Sequence, residues 1–196
     1  MQYISHYRLP LGDILLAADQ NCLTGLWFEG QKYFALHLDK EREEKEIPVF
    51  VAGGIFTHED IEHFIELGAD GVQMATRFIA TRECDAHENF KQMIIQAKKE
   101  DIVYVKSPAG FPGRAVRNAF VQKTEKQANQ RITNCLGCMI PCHPGDTPYC
   151  ITRALIRAVQ GDQENGLFFT GTSAEIINEM TDVHTLMESL KTGRKG

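Results

Sequence analysis

Residues 47–78 read IPVFVAGGIFTHEDIEHFIELGADGVQMATRF. The run from Ile47 to Ala52 is short, apolar and β-branched, which predicts a buried parallel strand. Gly53-Gly54 then breaks it. Thr57-His58-Glu59-Asp60 reads as a helix start, with a hydroxyl to cap a free amide and acids near the positive end of the helix dipole. Ile61, Phe64, Ile65 and Leu67 give that helix one apolar face. Gly68 stops it, and Gly71-Val72-Gln73-Met74 opens a second strand. The stretch is a βαβ unit, which places the chain in the α/β class with a right-handed crossover.

The glycines have a chemical use. Backbone N–H groups at a glycine turn, backed by a helix start, suit an anion such as phosphate, and residues without a Cβ let it approach closely. Thr76 and Arg77 add a hydroxyl and a positive charge just past the second strand. The alternative is that Gly53-Gly54 is only a tight strand-to-helix turn.

The wording from Val51 to Phe78 resembles the late strands of the nitronate monooxygenase family and the related flavin-dependent enoyl-ACP reductases. That resemblance implies a (β/α)8 barrel holding FMN. It places the FMN phosphate on Ala52-Gly53-Gly54 and on the turn Gln73-Met74-Ala75-Thr76-Arg77-Phe78. The implied cofactor-binding residues are Gly53, Gly54, Gln73, Met74, Ala75 and Thr76. Ala75 stands where the family more often has glycine. The resemblance continues through Thr81–Cys84, His87–Lys91, Gly113–Asn118, Pro148–Ile151 and Glu164–Leu167. A complete barrel needs about 200 to 250 residues, so residues 47–196 are expected to form only its C-terminal strands and helices, a partial TIM barrel.

The chain has 196 residues, 43% hydrophobic and 24% charged, with a formal net charge of −5. That composition is globular. The negative balance argues against a nucleic-acid or anionic-membrane partner, and no apolar run is long enough to span a membrane. The start, Met1–Ser5, lacks the features of a signal peptide, so a cytoplasmic location is expected. The six cysteines then read as thiols, metal ligands or redox groups rather than a disulfide framework.

Residues 1–46 read differently. Tyr3–Tyr7, Ile14–Ala18 and Leu23–Phe28 are strand-like, separated by turns at Pro10–Asp13 and Asp19–Asn21, which predicts a small antiparallel β-meander. Gln31–Leu38 suggests a short helix and Lys40–Glu46 a charged, solvated segment. Pro10–Ala18 and Leu23–Tyr33 resemble the N-terminal domain of methylated-DNA–protein-cysteine methyltransferases. The chain thus reads as two domains, 1–46 and 47–196, joined as a hybrid. Pro141-Cys142-His143-Pro144 resembles that family's reactive-cysteine motif, but Pro144 replaces its arginine, so alkyl transfer is the weaker alternative.

Further along, Glu88–Lys99 predicts a helix with Phe90, Met93, Ile94 and Ala97 inward. Asp101–Lys106 predicts a strand, Ser107–Gly113 a loop and Arg114–Gln122 a helix. Lys106, Arg114, Arg117 and Lys123 read as a solvated positive patch, with an anionic ligand as the alternative. Thr147-Pro148 predicts the start of a helix whose apolar face is Ile151, Leu155, Ile156 and Val159. Leu167–Gly171 is strand-like, and Gly171-Thr172-Ser173 falls where the resembled family closes over flavin. Asp182–Leu190 predicts a last helix, with Val183, Leu186, Met187 and Leu190 inward. No metal site is assigned. Cys135, Cys138, Cys142 and Cys150 lack zinc-ribbon spacing and read as ordinary thiols, while four soft ligands for zinc or an iron–sulfur cluster remain the alternative.

The family's catalytic histidine lies in a Gly-rich segment that this sequence lacks. His58, His63 and His87 do not sit in that context, and no catalytic residue is named. The resemblance implies an FMN-dependent oxidoreductase acting on a nitronate or related small molecule, truncated and of reduced or no activity. The alternative is a non-catalytic fusion remnant or interaction module that self-associates through uncovered sheet edges.

Overall fold

The structure is a computed structural model, and it describes residues 1–8, 13–30, 38, 42–44 (backbone only), 48–126, 132–135, 137–138 and 142–192. The chain divides into two compact units. One comprises residues 1–51 and 60–72, the other residues 52–59 and 73–196.

In the first unit, β1 (Gln2–Tyr7), β2 (Ile14–Ala18) and β3 (Leu23–Phe28) form the expected antiparallel meander, with Tyr7 opposite Ile14 and Ile14 opposite Phe28. The Asp19 carboxylate accepts from the Asn21 and Cys22 amides at 2.7 and 2.8 Å and so builds the β2–β3 turn. These bonds, Asn21's first, hold its pKa below the usual carboxylate value. Leu15, Ala17 and Trp27 form a small core, with Ile4 and Leu38 against it. Gly25 is required there, because the Trp27 ring lies where a Cβ would project.

The charged segment contributes a strand that its composition did not suggest. Arg42–Glu44 forms β4 and pairs in parallel with β1, extending the sheet to the order β3-β2-β1-β4. A strand edge needs only backbone groups, and charges on an edge strand discourage further pairing. The helix expected over 31–38 and the turn over 10–13 fall, apart from Leu38 and Asp13, outside the described residues.

β5 (Phe50–Ala52), α1 (His58–Glu66) and β6 (Gly71–Gln73) follow in the expected order, and β5 and β6 pair. β5 starts later than the apolar run suggests. Pro48 has no N–H for a ladder, and Val49 is engaged by Asp70 instead. Val49 donates to the Asp70 carboxylate at 2.7 Å and accepts from the Asp70 amide at 2.9 Å. Gly68 ends α1 with φ +97°, a conformation that favours glycine. None of the α1 residues is buried: Ile61 and Phe64 of its apolar face are half-buried, and Ile65, like Leu67 just past the helix, is exposed. Two three-residue strands offer a helix little surface to cover.

The second unit contains α2 (Thr76–Ile79), α3 (Glu88–Ile95), β7 (Ile102–Val105), β8 (Gly113–Val116), α4 (Ala119–Lys126), α5 (Ile151–Val159) and α6 (Val183–Thr192). One core cluster gathers Phe90, Ile94, Ala97, Val116, Ala158, Phe168 and Ile177, with Phe90 and Phe168 edge to face at 5.0 Å between centroids. A second gathers Val105, Ala115, Phe120, Val121, Tyr149, Ala154 and Leu167.

Three expectations change here. α3 stops at Ile95, since the Asp101 carboxylate takes the Lys98 amide at 3.0 Å and fixes a 3-10 turn over Lys99–Asp101. The helix expected over Arg114–Gln122 splits, because Ala115 and Val116 pair antiparallel with Val103 and Ile102. Asn118 then starts α4 by accepting from the Val121 amide at 3.0 Å. α5 starts at Ile151 rather than at Pro148, and its inward face is shifted: Ala154 and Ala158 are buried and Ile151 packs against the core, whereas Leu155, Ile156 and Val159 are exposed. Residues 167–170 act as a short partner of β8. Val116 donates to Phe168 at 2.9 Å and Thr170 donates to Arg114 at 3.0 Å. Asp182 opens α6 by accepting from Thr185. Leu186 and Leu190 of that helix point inward, while Met187 is exposed.

Candidate functional site

The six residues expected to hold the cofactor all belong to the second unit. Gly53 and Gly54 leave the end of β5 with φ +89° and +74°. Both are exposed, and a Cβ on either would meet nothing within 4 Å, so glycine is needed there for its backbone conformation and the space in front of the turn is open. Among the described residues, neither amide donates to the protein.

Gln73 ends β6, and Met74 and Ala75 lead to α2. Ala75 has φ −125°, an ordinary backbone for an L residue, which accounts physically for alanine where the resembled family has glycine. Thr76 is buried, at 8% exposure. Its hydroxyl oxygen accepts from the Gly171 amide at 2.9 Å. Among the described residues that hydroxyl has no acceptor for its own proton.

Arg77 ties two turns together. Its guanidinium donates to the Phe56 carbonyl at 2.6 Å and lies over the Phe56 ring, 4.4 Å from the centroid. Burial lowers its pKa, though a guanidinium keeps its charge. Arg77 therefore links the segment after Gly53-Gly54 to the Thr76 turn, and Thr76 links that turn to Gly171-Thr172-Ser173. Three turns distant in sequence are joined by two side chains. The roles of Phe56 and Gly171 as partners were not legible beforehand, since each contributes a backbone group that carries no sequence signal.

A cleft of about 400 Å³ lies beside this arrangement, lined by Phe56, Arg77, Ile177, Glu179, Thr181 and Leu186 among others. None of Gly53, Gly54, Gln73, Met74, Ala75 or Thr76 lines it.

The other candidates lie elsewhere. His58 Nδ1 stands 2.8 Å from the Leu190 carbonyl, and His87 caps α3 by accepting from the Asn89 amide. In the basic patch, Arg114 packs on the Tyr104 ring and hydrogen-bonds its hydroxyl, while Arg117 pairs with Glu125 at 2.9 Å. All six cysteines are unpaired thiols. Among the described residues, no three His, Cys, Asp or Glu side chains are gathered as a metal site, and no helix is long and apolar enough to cross a membrane.

The chain is an α/β protein whose glycine and threonine turns follow its strand ends. The nitronate monooxygenase family model matches residues 28–193, and the chain belongs to that family. The family is one of FMN enzymes. A probable nitronate monooxygenase from Staphylococcus saprophyticus is 30% identical over 137 residues, covering 69% of this chain and 36% of the relative. One from Staphylococcus aureus strain JH9 is 38% identical over 77 residues, 39% of this chain and 22% of the relative. FabK from Thermotoga maritima is similar in structure with a TM-score of 0.60 at 33% identity, covering 75% of this chain and 44% of FabK. Nitroalkane oxidase from Streptomyces ansochromogenes, at 23% identity and a TM-score of 0.56, covers 75% of this chain and 39% of its own, and shares the fold. The chain thus spans about a third of the first curated relative and under half of these solved neighbours.

Proposed function

We propose that the second unit supplies the phosphate-holding end of an FMN site in an oxidoreductase of the nitronate monooxygenase type, and corresponds to the C-terminal part of a TIM barrel. The observation that carries the reading is the buried Thr76 hydroxyl, fixed by Gly171 and left with a proton to donate. Gly53 and Gly54 would present their amides to the same phosphate, while Gln73, Met74 and Ala75 shape the approach. FMN, when bound, supplies the redox chemistry. The residues of this chain bind and orient it. The proposed substrate is an alkyl nitronate, oxidised with oxygen. The six unpaired thiols fit a reducing, cytoplasmic setting.

The test is the visible spectrum of the purified chain with and without added FMN, followed through gel filtration. A flavin band that travels with the protein supports the reading. A chain that takes up no FMN sinks it. A second reading, a self-associating interaction module, draws on the exposed Ile65 of α1, Leu67 just after it, and Leu155, Ile156 and Val159 of α5. A flavin-free oligomer in the same experiment would favour it.

A further inference from the structure

Arg77 has more bonding capacity than the protein uses. A guanidinium carries five N–H groups in a fixed fork. One donates to the Phe56 carbonyl at 2.6 Å, and the Phe56 ring covers one face of the group. Among the described residues, no other acceptor and no carboxylate meets Arg77. The side chain is half-buried, so its charge is held in place beside the cleft of about 400 Å³ that it lines. That volume is within the range of small-molecule sites.

The same cleft holds a charge of the opposite sign. Glu179 lines it, and among the described residues this carboxylate pairs with neither Arg77 nor any other cation. Thr185 and Ser189, one turn apart on α6, line it too. Each hydroxyl spends its proton inside the protein, Thr185 on Asp182 at 2.9 Å and Ser189 on the Leu186 carbonyl at 2.7 Å. Their oxygens are left as acceptors. The walls between these groups are apolar: Ile177 and Leu186 are buried core residues, while Ile176 is 51% exposed. The cleft therefore offers one strong donor, several acceptors with a negative charge, and an apolar lining. His58 fixes one side of it by its 2.8 Å contact with the Leu190 carbonyl at the end of α6.

We propose that this cleft is a binding site for a small zwitterion with an apolar body, such as a hydrophobic amino acid. The carboxylate of the ligand takes the unused N–H groups of Arg77. Its ammonium donates toward Glu179 and the Thr185 and Ser189 oxygens, and its side chain lies on Ile176, Ile177 and Leu186. None of the six residues assigned to FMN lines the cleft, so the site does not rest on the flavin reading.

The experiment is calorimetric titration of the full chain with leucine, phenylalanine and 6-aminohexanoate, with and without FMN. Leucine amide lacks the carboxylate, and N-acetyl-leucine lacks the ammonium. At least one zwitterion should bind at one per chain, equally well with FMN present. Both capped forms should bind leucine's site more weakly, by about tenfold or more for the amide. Arg77→Gln should weaken leucine and leave the amide unchanged. Glu179→Gln, at an exposed position, should weaken leucine about two- to fivefold and leave N-acetyl-leucine unchanged. Glu175→Gln, outside the lining, should bind leucine as the parent does. The proposal is overturned if none of the three zwitterions binds, or if the capped forms bind as tightly as leucine. Leucine affinity unchanged in Glu179→Gln overturns it as well, even where Arg77→Gln fails to fold.

Discussion

Replacing Thr76 by valine separates the two duties of its hydroxyl. Valine keeps the shape and removes both the acceptor for Gly171 and the donor toward phosphate. The Gly171 amide sits in a part-buried bond of 2.9 Å, and leaving such a donor unmet costs about 1–3 kcal/mol of stability. A hydrogen bond to a charged phosphate contributes roughly 1.5–3 kcal/mol, which is about ten- to hundredfold in FMN affinity. Thr76→Ser keeps both groups and should stay near wild type in each respect. The assays are urea unfolding for stability and quenching of flavin fluorescence for affinity. If Thr76→Val binds FMN as tightly as the parent chain, the hydroxyl does not face the phosphate. Equal losses in the serine and valine variants would refute the assignment in another way, by showing that the methyl group and packing matter rather than the bond.

Phe168 is fully buried against Phe90, and Phe168→Ala should lower unfolding free energy by about 3–5 kcal/mol, read from denaturant melts. Gly166→Ala would put a Cβ 2.7 Å from the Ala158 backbone, and should destabilise by about 1–3 kcal/mol through overpacking. Ile156→Lys on the exposed side of α5 should change stability by less than about 0.5 kcal/mol; a large loss would mean that this face is covered in the folded protein. Tyr149 donates to the Lys106 carbonyl at 2.8 Å, and burial pushes its pKa up to about 12. A phenol whose folded pKa exceeds its unfolded value stabilises fully below the unfolded value, near pH 10, and loses that contribution as pH rises toward 12. Alkaline melts of Tyr149→Phe should therefore lack part of the parent's decline in that window.

The meander and the glycine stop at Gly68 were legible because each rests on local chemistry. The face of α5 was not. Hydrophobic periodicity favours the large side chains Leu155, Ile156 and Val159, but the buried side carries Ala154 and Ala158, small enough to let Gly166 pack against the Ala158 backbone. Close approach of backbones selects small residues, and a hydrophobicity pattern weighs them lightly. Asn118 also carried no sequence signal of its place: it is buried, donating to the Gln163 and Gly166 carbonyls at 2.7 and 2.8 Å. Of the candidate site, the fastenings were not readable, because the Thr76 and Arg77 side chains bond to main-chain atoms of Gly171 and Phe56, and the Phe56 ring under Arg77 is a contact made only by the fold.

The path of the chain between its two units has a consequence for any attempt to take the protein apart. The polypeptide leaves the first unit after Val51, returns at Asp60 and leaves again after Val72. Three passages mean that no single cleavage can free either unit as a continuous segment. A protease nick in the charged stretch near Arg42 would leave β5, α1 and β6 attached to the larger piece, although residues 60–72 cluster with the smaller one.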